Sequence, residues 1–222
     1  MKKDVIICIG TIGSPTFDKS YSIAKSIKKR YKNVKKIEVI EGYSPQCSWL
    51  NEMIVRSLNH TWCLQLDEDM YLKENAIKVL LNKARERESE GVGVGIVHGM
   101  LWDIFLEQQI GSLKLWRIKI LKKFQFEDTL GSDRKVVTGI KKKGYQTVSI
   151  SDILGNHDSA PTVEIGQKKY FECVQKIRKF NGEDKAKKFV KNLKLSNKNP
   201  DIVSFAEKAL KVKVNNKSKR SV

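Results

Sequence analysis

Short apolar runs recur along the first part of the chain, each closed by a glycine, an acid or a turn. Val5-Ile6-Ile7-Cys8-Ile9 ends at Gly10, Lys36 to Ile40 is closed by Gly42, and Trp62 to Leu66 ends at Asp67. Runs this short, rich in β-branched residues, predict strands. Between them the apolar positions change to helical spacing. Ile23, Ala24, Ile27 and Tyr31 share one face over 19–31, with Asp18 as the cap, and Leu50, Ile54 and Leu58 do so over 46–58. Ala76, Val79, Leu80 and Ala84 mark a third helix over 75–87. The alternation predicts a parallel sheet with helices on both faces. Ligands of such sheets bind beyond the carboxyl ends of the strands, which is where Asp67-Glu68-Asp69 falls.

The pattern continues less regularly. Gly91 to His98 reads as a strand with alternating glycines, without the turn into a helix that a dinucleotide site needs. Residues 99–125 are mixed and contain Trp102, Phe105, Trp116 and Phe124. Residues 134–143 form a predicted helix ending at Gly144, and Gln146 to Ile150 is a strand followed by Gly155-Asn156-His157-Asp158. Lysine-rich amphipathic helices are expected over 166–181, 183–193 and 200–211. The expected division is a catalytic α/β domain over 1–160 and a basic helical extension over 161–222.

Composition narrows the class. The 222 residues are 40% hydrophobic and 31% charged, which suits a soluble globular chain. No apolar run approaches the roughly 20 residues of a membrane span. Met1-Lys2-Lys3-Asp4 leads directly into the first strand, so no secretory signal is expected, and the sequon Asn59-His60-Thr61 carries no weight. Cys8, Cys47, Cys63 and Cys173 lack metal-knuckle spacing and read as reduced cytoplasmic thiols. The net charge is +18, and after Ile165 there are 17 Lys/Arg against 5 Asp/Glu, or +12. That excess suits a polyanionic partner. Lysine outnumbers arginine in the tail, with no zinc spacing, RNP-like strand or P-loop, so specific nucleic-acid recognition is not expected. Lys168 to Lys194 carries Tyr170, Phe171, Val174, Ile177 and Phe189 among its lysines, a pattern of peripheral contact with the inner face of an anionic membrane.

The candidate chemistry starts at the acidic triplet. Three adjacent carboxylates repel unless a cation relieves them, and oxygen ligands suit Mg²⁺ or Mn²⁺ shared with substrate phosphates. Leu64-Gln65-Leu66-Asp67-Glu68-Asp69-Met70 resembles the strand and DxD element of GT-A-fold glycosyltransferases, family 2 in particular. Val5 to Gly10 with Thr11 is similar to that family's first strand and nucleotide loop, and Asn51 to an Asn before the DxD strand. Ser132-Asp133, 11 residues before Gly144-Tyr145, is similar to the family's acidic motif, and His157 falls where many such enzymes place a metal ligand.

The resemblance spans about 4–160 and implies a GT-A-like (Rossmann-like), mostly parallel sheet flanked by helices. It implies a hexosyltransferase-like enzyme that inverts the sugar carbon, using a UDP- or GDP-sugar and Mn²⁺ or Mg²⁺. A glycan, lipid-linked or protein acceptor would receive the sugar. By that likeness, Asp67, Asp69 and His157 hold the metal, with Asp69 foremost and Glu68 turned away from it. Thr11, Ile12, Gly42, Asn51, Asp67 and Glu68 contact the donor, and Asp133 or Asp128 is the base. Trp102, Phe105 and Trp116 could form an acceptor platform, with Asp103 in the same stretch, while His60 and His98 read as structural. Two other classes stay open. Gly10-Thr11-Ile12-Gly13 is faintly similar to a sugar-phosphate nucleotidyltransferase signature but lacks its Arg and Lys, and the charge alone would suit a basic nucleic-acid-binding protein.

Overall fold

The computed structural model describes residues 4–129, 131–196 and 198–212. The chain divides into two compact units, one ending at Asp158 and the other beginning at Ser159.

The first unit is built on strands β1 (Val5–Thr11), β2 (Val34–Glu41), β3 (Trp62–Asp67), β4 (Met70–Leu72), β5 (Val94–Asp103), β6 (Gln108–Arg117) and β7 (Gln146–His157). They form one sheet in the order β2-β1-β3-β6-β5-β7-β4. Strands β1, β2, β3, β5 and β7 run one way, and β6 and β4 run against them. Side-chain alternation assigns β1 to both layers. Val5, Ile7 and Ile9 pack with α1 (Phe17–Arg30) and α3 (Ala76–Ser89), while Ile6 and Cys8 pack with α2 (Gln46–Ser57), α4 (Ile118–Leu121) and α5 (Ser132–Lys142).

Three features differ from the sequence expectation. The mixed stretch over 99–125 is the β5–β6 hairpin followed by α4, so an antiparallel strand enters the middle of the sheet. The three-residue β4 was too short to show a periodicity, and it pairs with β7. Helix α1 begins at Phe17 with Thr16 at the cap position, so Asp18 lies in the first turn, where its charge meets the helix dipole.

The second unit contains α6 (Val163–Asn181), α7 (Glu183–Leu195) and α8 (Pro200–Lys211). The Thr162 side chain caps α6, and Asn199 with Pro200 opens α8. Tyr170, Val174, Val190, Leu193, Ile202 and Ala206 are buried in the unit, and Tyr170 stacks on Phe189 at 6.3 Å. Several of the apolar residues that suggested a membrane-docking face over Lys168 to Lys194 thus pack inside the unit, and its lysines stay mostly exposed. Tyr170 and Val174 face neighbouring helices, and Phe171, Ile177 and Phe189 are half-buried. Among the described residues no helix is long and apolar enough to cross a membrane.

Candidate active site

The acidic triplet is the turn between β3 and β4. Asp67 closes β3 beside Gly10 of β1, and Met70 of β4 pairs with His157 at the end of β7. Asp158 N donates to Asp69 O at 2.8 Å. Gly155 makes this docking possible, because a Cβ there would lie 2.4 Å from Tyr71 O. The pairing brings the Asp69 side chain to His157, with Oδ1 3.4 Å from Nε2.

Behind His157 stands Asp103, 1% exposed, with its Oδ2 2.6 Å from His157 Nδ1. Asp103 Oδ1 accepts from Leu106 N at 2.7 Å. A carboxylate at Nδ1 keeps the proton on that nitrogen and turns the Nε2 lone pair toward Asp69. An imidazole lone pair and a carboxylate oxygen then face each other across a gap that suits two neighbouring ligand atoms on one small cation. The donor set therefore fits a divalent ion whose remaining ligands are phosphate oxygens and water. Asp67, the third expected ligand, closes β3 and lines the cavity beside Asp133, and among the described residues no group of three or more His, Cys, Asp or Glu gathers as a metal cluster. Tyr71 donates to Asp158 Oδ2 at 3.3 Å, and burial together with the Asp158 and Asp69 charges pushes its phenol up to about 12.

Glu68 turns inward. It is 9% exposed, accepts the Thr11 hydroxyl, and accepts Ile12 N at 3.3 Å and Ser14 N at 3.0 Å. It thus holds the loop between β1 and α1 closed. Thr11 Oγ1 accepts from Gly13 N at 3.0 Å, Thr11 O accepts from Gly42 N at 3.2 Å, and Ile12 is 74% exposed beside them. Expected donor-contacting residues Thr11, Ile12, Gly42 and Glu68 are therefore neighbours. Glu68 is spent on the loop itself.

Asn51, expected as a donor contact, latches the backbone at Phe126. Its Nδ2 donates to Phe126 O and its Oδ1 accepts from Phe126 N, both at 2.9 Å. Both ends of the amide are used, and they fix the chain leading towards α5.

On the sheet face covered by α2, α4 and α5 lies a cavity of about 160 Å³, lined by Gln46, Leu50, Gln65, Asp67, Ser112, Lys114 and Asp133. Asp133 sits in the first turn of α5 with its Oδ2 2.8 Å from Lys114 Nζ. Burial alone would raise its carboxyl, but the charge and hydrogen bond of Lys114, with Arg134, outweigh that and hold it below the usual range. His98 pairs with Lys114 across β5 and β6, and burial first, then the Lys114 charge, brings its imidazole down to about 4. Asp128 is exposed on the preceding loop, where neighbouring Glu127 pairs with Lys135. Trp116 is no platform: it is fully buried, donates to Gln65 Oε1 at 2.9 Å and packs edge-on to Phe126. Phe105 is half-buried and Trp102 exposed.

Lys114, Gln65 and the place of Asp103 behind His157 lie outside what the sequence predicted. Each had a signal: a polar residue inside an apolar run (Leu113-Lys114-Leu115, Leu64-Gln65-Leu66), or an acid closing a strand.

No family model and no curated protein matches the sequence. Solved structures do match in fold. One is a mannosyltransferase from Pyrobaculum calidifontis in complex with GDP-Man and Mn²⁺, with TM-score 0.59 and 12% identity, covering 93% of this chain and 69% of that one. Another is A197 from STIV, with TM-score 0.51 and 13% identity, covering 70% and 85%. A third is glucosyl-3-phosphoglycerate synthase from Mycobacterium tuberculosis, with TM-score 0.50 and 11% identity, covering 79% of each chain. At these identities the likeness is one of architecture: the chain has the GT-A type of fold.

Proposed function

We propose that the chain is a divalent-cation-dependent glycosyltransferase that moves a sugar from a nucleoside diphosphate to an acceptor hydroxyl, with inversion. The observation that carries this reading is the convergence of Asp69 and His157 at the carboxyl edge of the sheet, with Asp103 fixing the imidazole from behind. A GT-A architecture and a half-buried, ionised Asp133 in a cavity shared with Asp67 agree with it.

In this reading Asp69 and His157 hold Mn²⁺ or Mg²⁺. When bound, the cation neutralises charge on the departing diphosphate. Glu68 keeps the Thr11–Ser14 loop shaped for the nucleotide, and Asp67 contacts the donor. Asp133 takes the proton of the acceptor hydroxyl, whose oxygen bonds to the anomeric carbon as the bond to the diphosphate breaks. A UDP- or GDP-sugar is the expected donor, as in the Pyrobaculum calidifontis mannosyltransferase, which was solved with GDP-Man.

A thermal-shift panel of UDP-, GDP- and TDP-sugars with Mn²⁺ or Mg²⁺ tests the reading. A ligand at 100 times its Kd should stabilise the fold by about 2.7 kcal/mol, and Asp69→Ala should abolish that shift. Products then separate classes: free nucleoside diphosphate means sugar transfer, and pyrophosphate means nucleotidyl transfer. If no donor stabilises the protein, the reading fails.

A further inference from the structure

Lys114 is a charged residue inside an apolar strand. Its side chain is 7% exposed, and its neighbours Leu113 and Leu115 are fully buried. It lies in the middle of the sheet, paired in register with Gln65 of β3 and His98 of β5. An ammonium in such a place costs several kcal/mol unless it is paired. Its Nζ donates to Ser112 O at 3.1 Å and meets Asp133 Oδ2 at 2.8 Å. The other Asp133 oxygen accepts from Arg134 N at 2.9 Å in the first turn of α5. Both carboxylate oxygens are thus tied down, one by the sheet and one by a helix N-terminus, while the side chain still lines the cavity.

We propose that Lys114 is the positioning residue of the reaction's base: it anchors the Asp133 carboxylate from below and keeps it an anion facing the acceptor hydroxyl. This inference rests on Asp133 acting as the base. The arrangement has a chemical logic. Burial raises a carboxylate's affinity for its own proton, and a carboxyl that holds that proton cannot accept another from a hydroxyl. Lys114 opposes that rise with its charge and its hydrogen bond, at the cost of some basicity. The other charged or titratable groups around Asp133 do not replace it. His98 on β5 is held neutral, Asp67 on β3 is itself acidic, and Arg134 and Lys141 lie on α5 itself. Lys114 is the buried cation that β6 presents to the cavity.

The experiment compares wild type with Lys114→Met, Lys114→Gln and Lys114→Arg. The Asp133 carboxyl carbon is titrated by NMR without ligand. The acid limb of kcat/KM is measured for hydrolysis of the donor sugar found in the panel, with water as acceptor. Loss of the charge should move both the carboxyl midpoint and the acid limb up by about one pH unit or more. Activity should recover on the alkaline side, and Lys114→Arg should return the limb towards wild type. Lys114→Gln retains a hydrogen bond without a charge and carries the test if Lys114→Met does not fold. An unmoved midpoint in either uncharged variant, or a loss of rate uniform across pH, overturns the proposal. Donor-induced thermal shifts on the same variants keep the two readings apart. A retained shift with an unmoved midpoint sinks only the role of Lys114, whereas no shift in wild type sinks the transferase reading.

Discussion

Changing Asp103 to asparagine reverses one hydrogen bond and leaves nearly everything else in place. The new amide oxygen would still accept from Leu106 N, as Asp103 Oδ1 does at 2.7 Å. Toward His157 Nδ1, now 2.6 Å from a carboxylate oxygen, the side chain would present an amide N–H. That donor demands the lone pair on Nδ1 and moves the imidazole proton to Nε2, the nitrogen that faces Asp69. A protonated Nε2 cannot ligate a cation. Loss of such an outer partner typically weakens metal binding about 10–100-fold, which is about 1.4–2.7 kcal/mol. The assay is a Mn²⁺ titration followed by the EPR signal of the free ion, at saturating nucleoside diphosphate, with Tm recorded for each variant. Asp103→Asn should bind Mn²⁺ in that weakened range with little change in Tm. Asp103→Ala should also lose stability, about 1–3 kcal/mol, because it leaves the part-buried Leu106 N–H without its acceptor. Unchanged Mn²⁺ affinity in Asp103→Asn, within about twofold, would refute the assignment of the cation to His157.

Two further predictions follow from the same geometry. Asn51→Ala removes both bonds to the Phe126 backbone and should cost about 2–3 kcal/mol in urea unfolding while leaving donor affinity unchanged; a selective loss of donor binding would restore Asn51 as a ligand contact. His98 is held down to about 4 against the ordinary 6.5, so between those values the unfolded chain binds more protons and stability falls as the pH drops. The loss amounts to about 2–3 kcal/mol after allowance for its partial exposure, and unfolding at pH 7 and pH 4.5 should show His98→Gln to be that much less acid-sensitive than wild type.

Local pattern decided a good deal of this protein. Period-two and period-3.6 spacing is enough to locate β1, β2, β3 and the helices α1, α2 and α3, because each must bury one stripe or face. The same alternation carries the acidic turn to the ligand edge of the sheet. What pattern could not decide is where separate elements meet. His157 reaches Asp69 only because a three-residue strand, β4, lies antiparallel along β7, and a strand that short has no readable period. Asp103 reads as a loop acid until β5 proves long enough to carry it beneath His157. The inward turn of Glu68 depends on the Thr11–Ser14 loop folding back over β3, a contact across more than 50 residues.

The acidic triplet shows the division most clearly. Its composition and its place after an apolar strand are local facts, so the sequence by itself determined that an acidic turn would stand at the sheet edge. Which carboxylate turns toward the imidazole, which one clamps the β1–α1 loop, and which acid faces Lys114 depend on backbone positions set by long-range strand pairing. Only the tertiary structure decided those roles, because a carboxylate's chemistry is set by its neighbours, and here those neighbours come from distant parts of the chain.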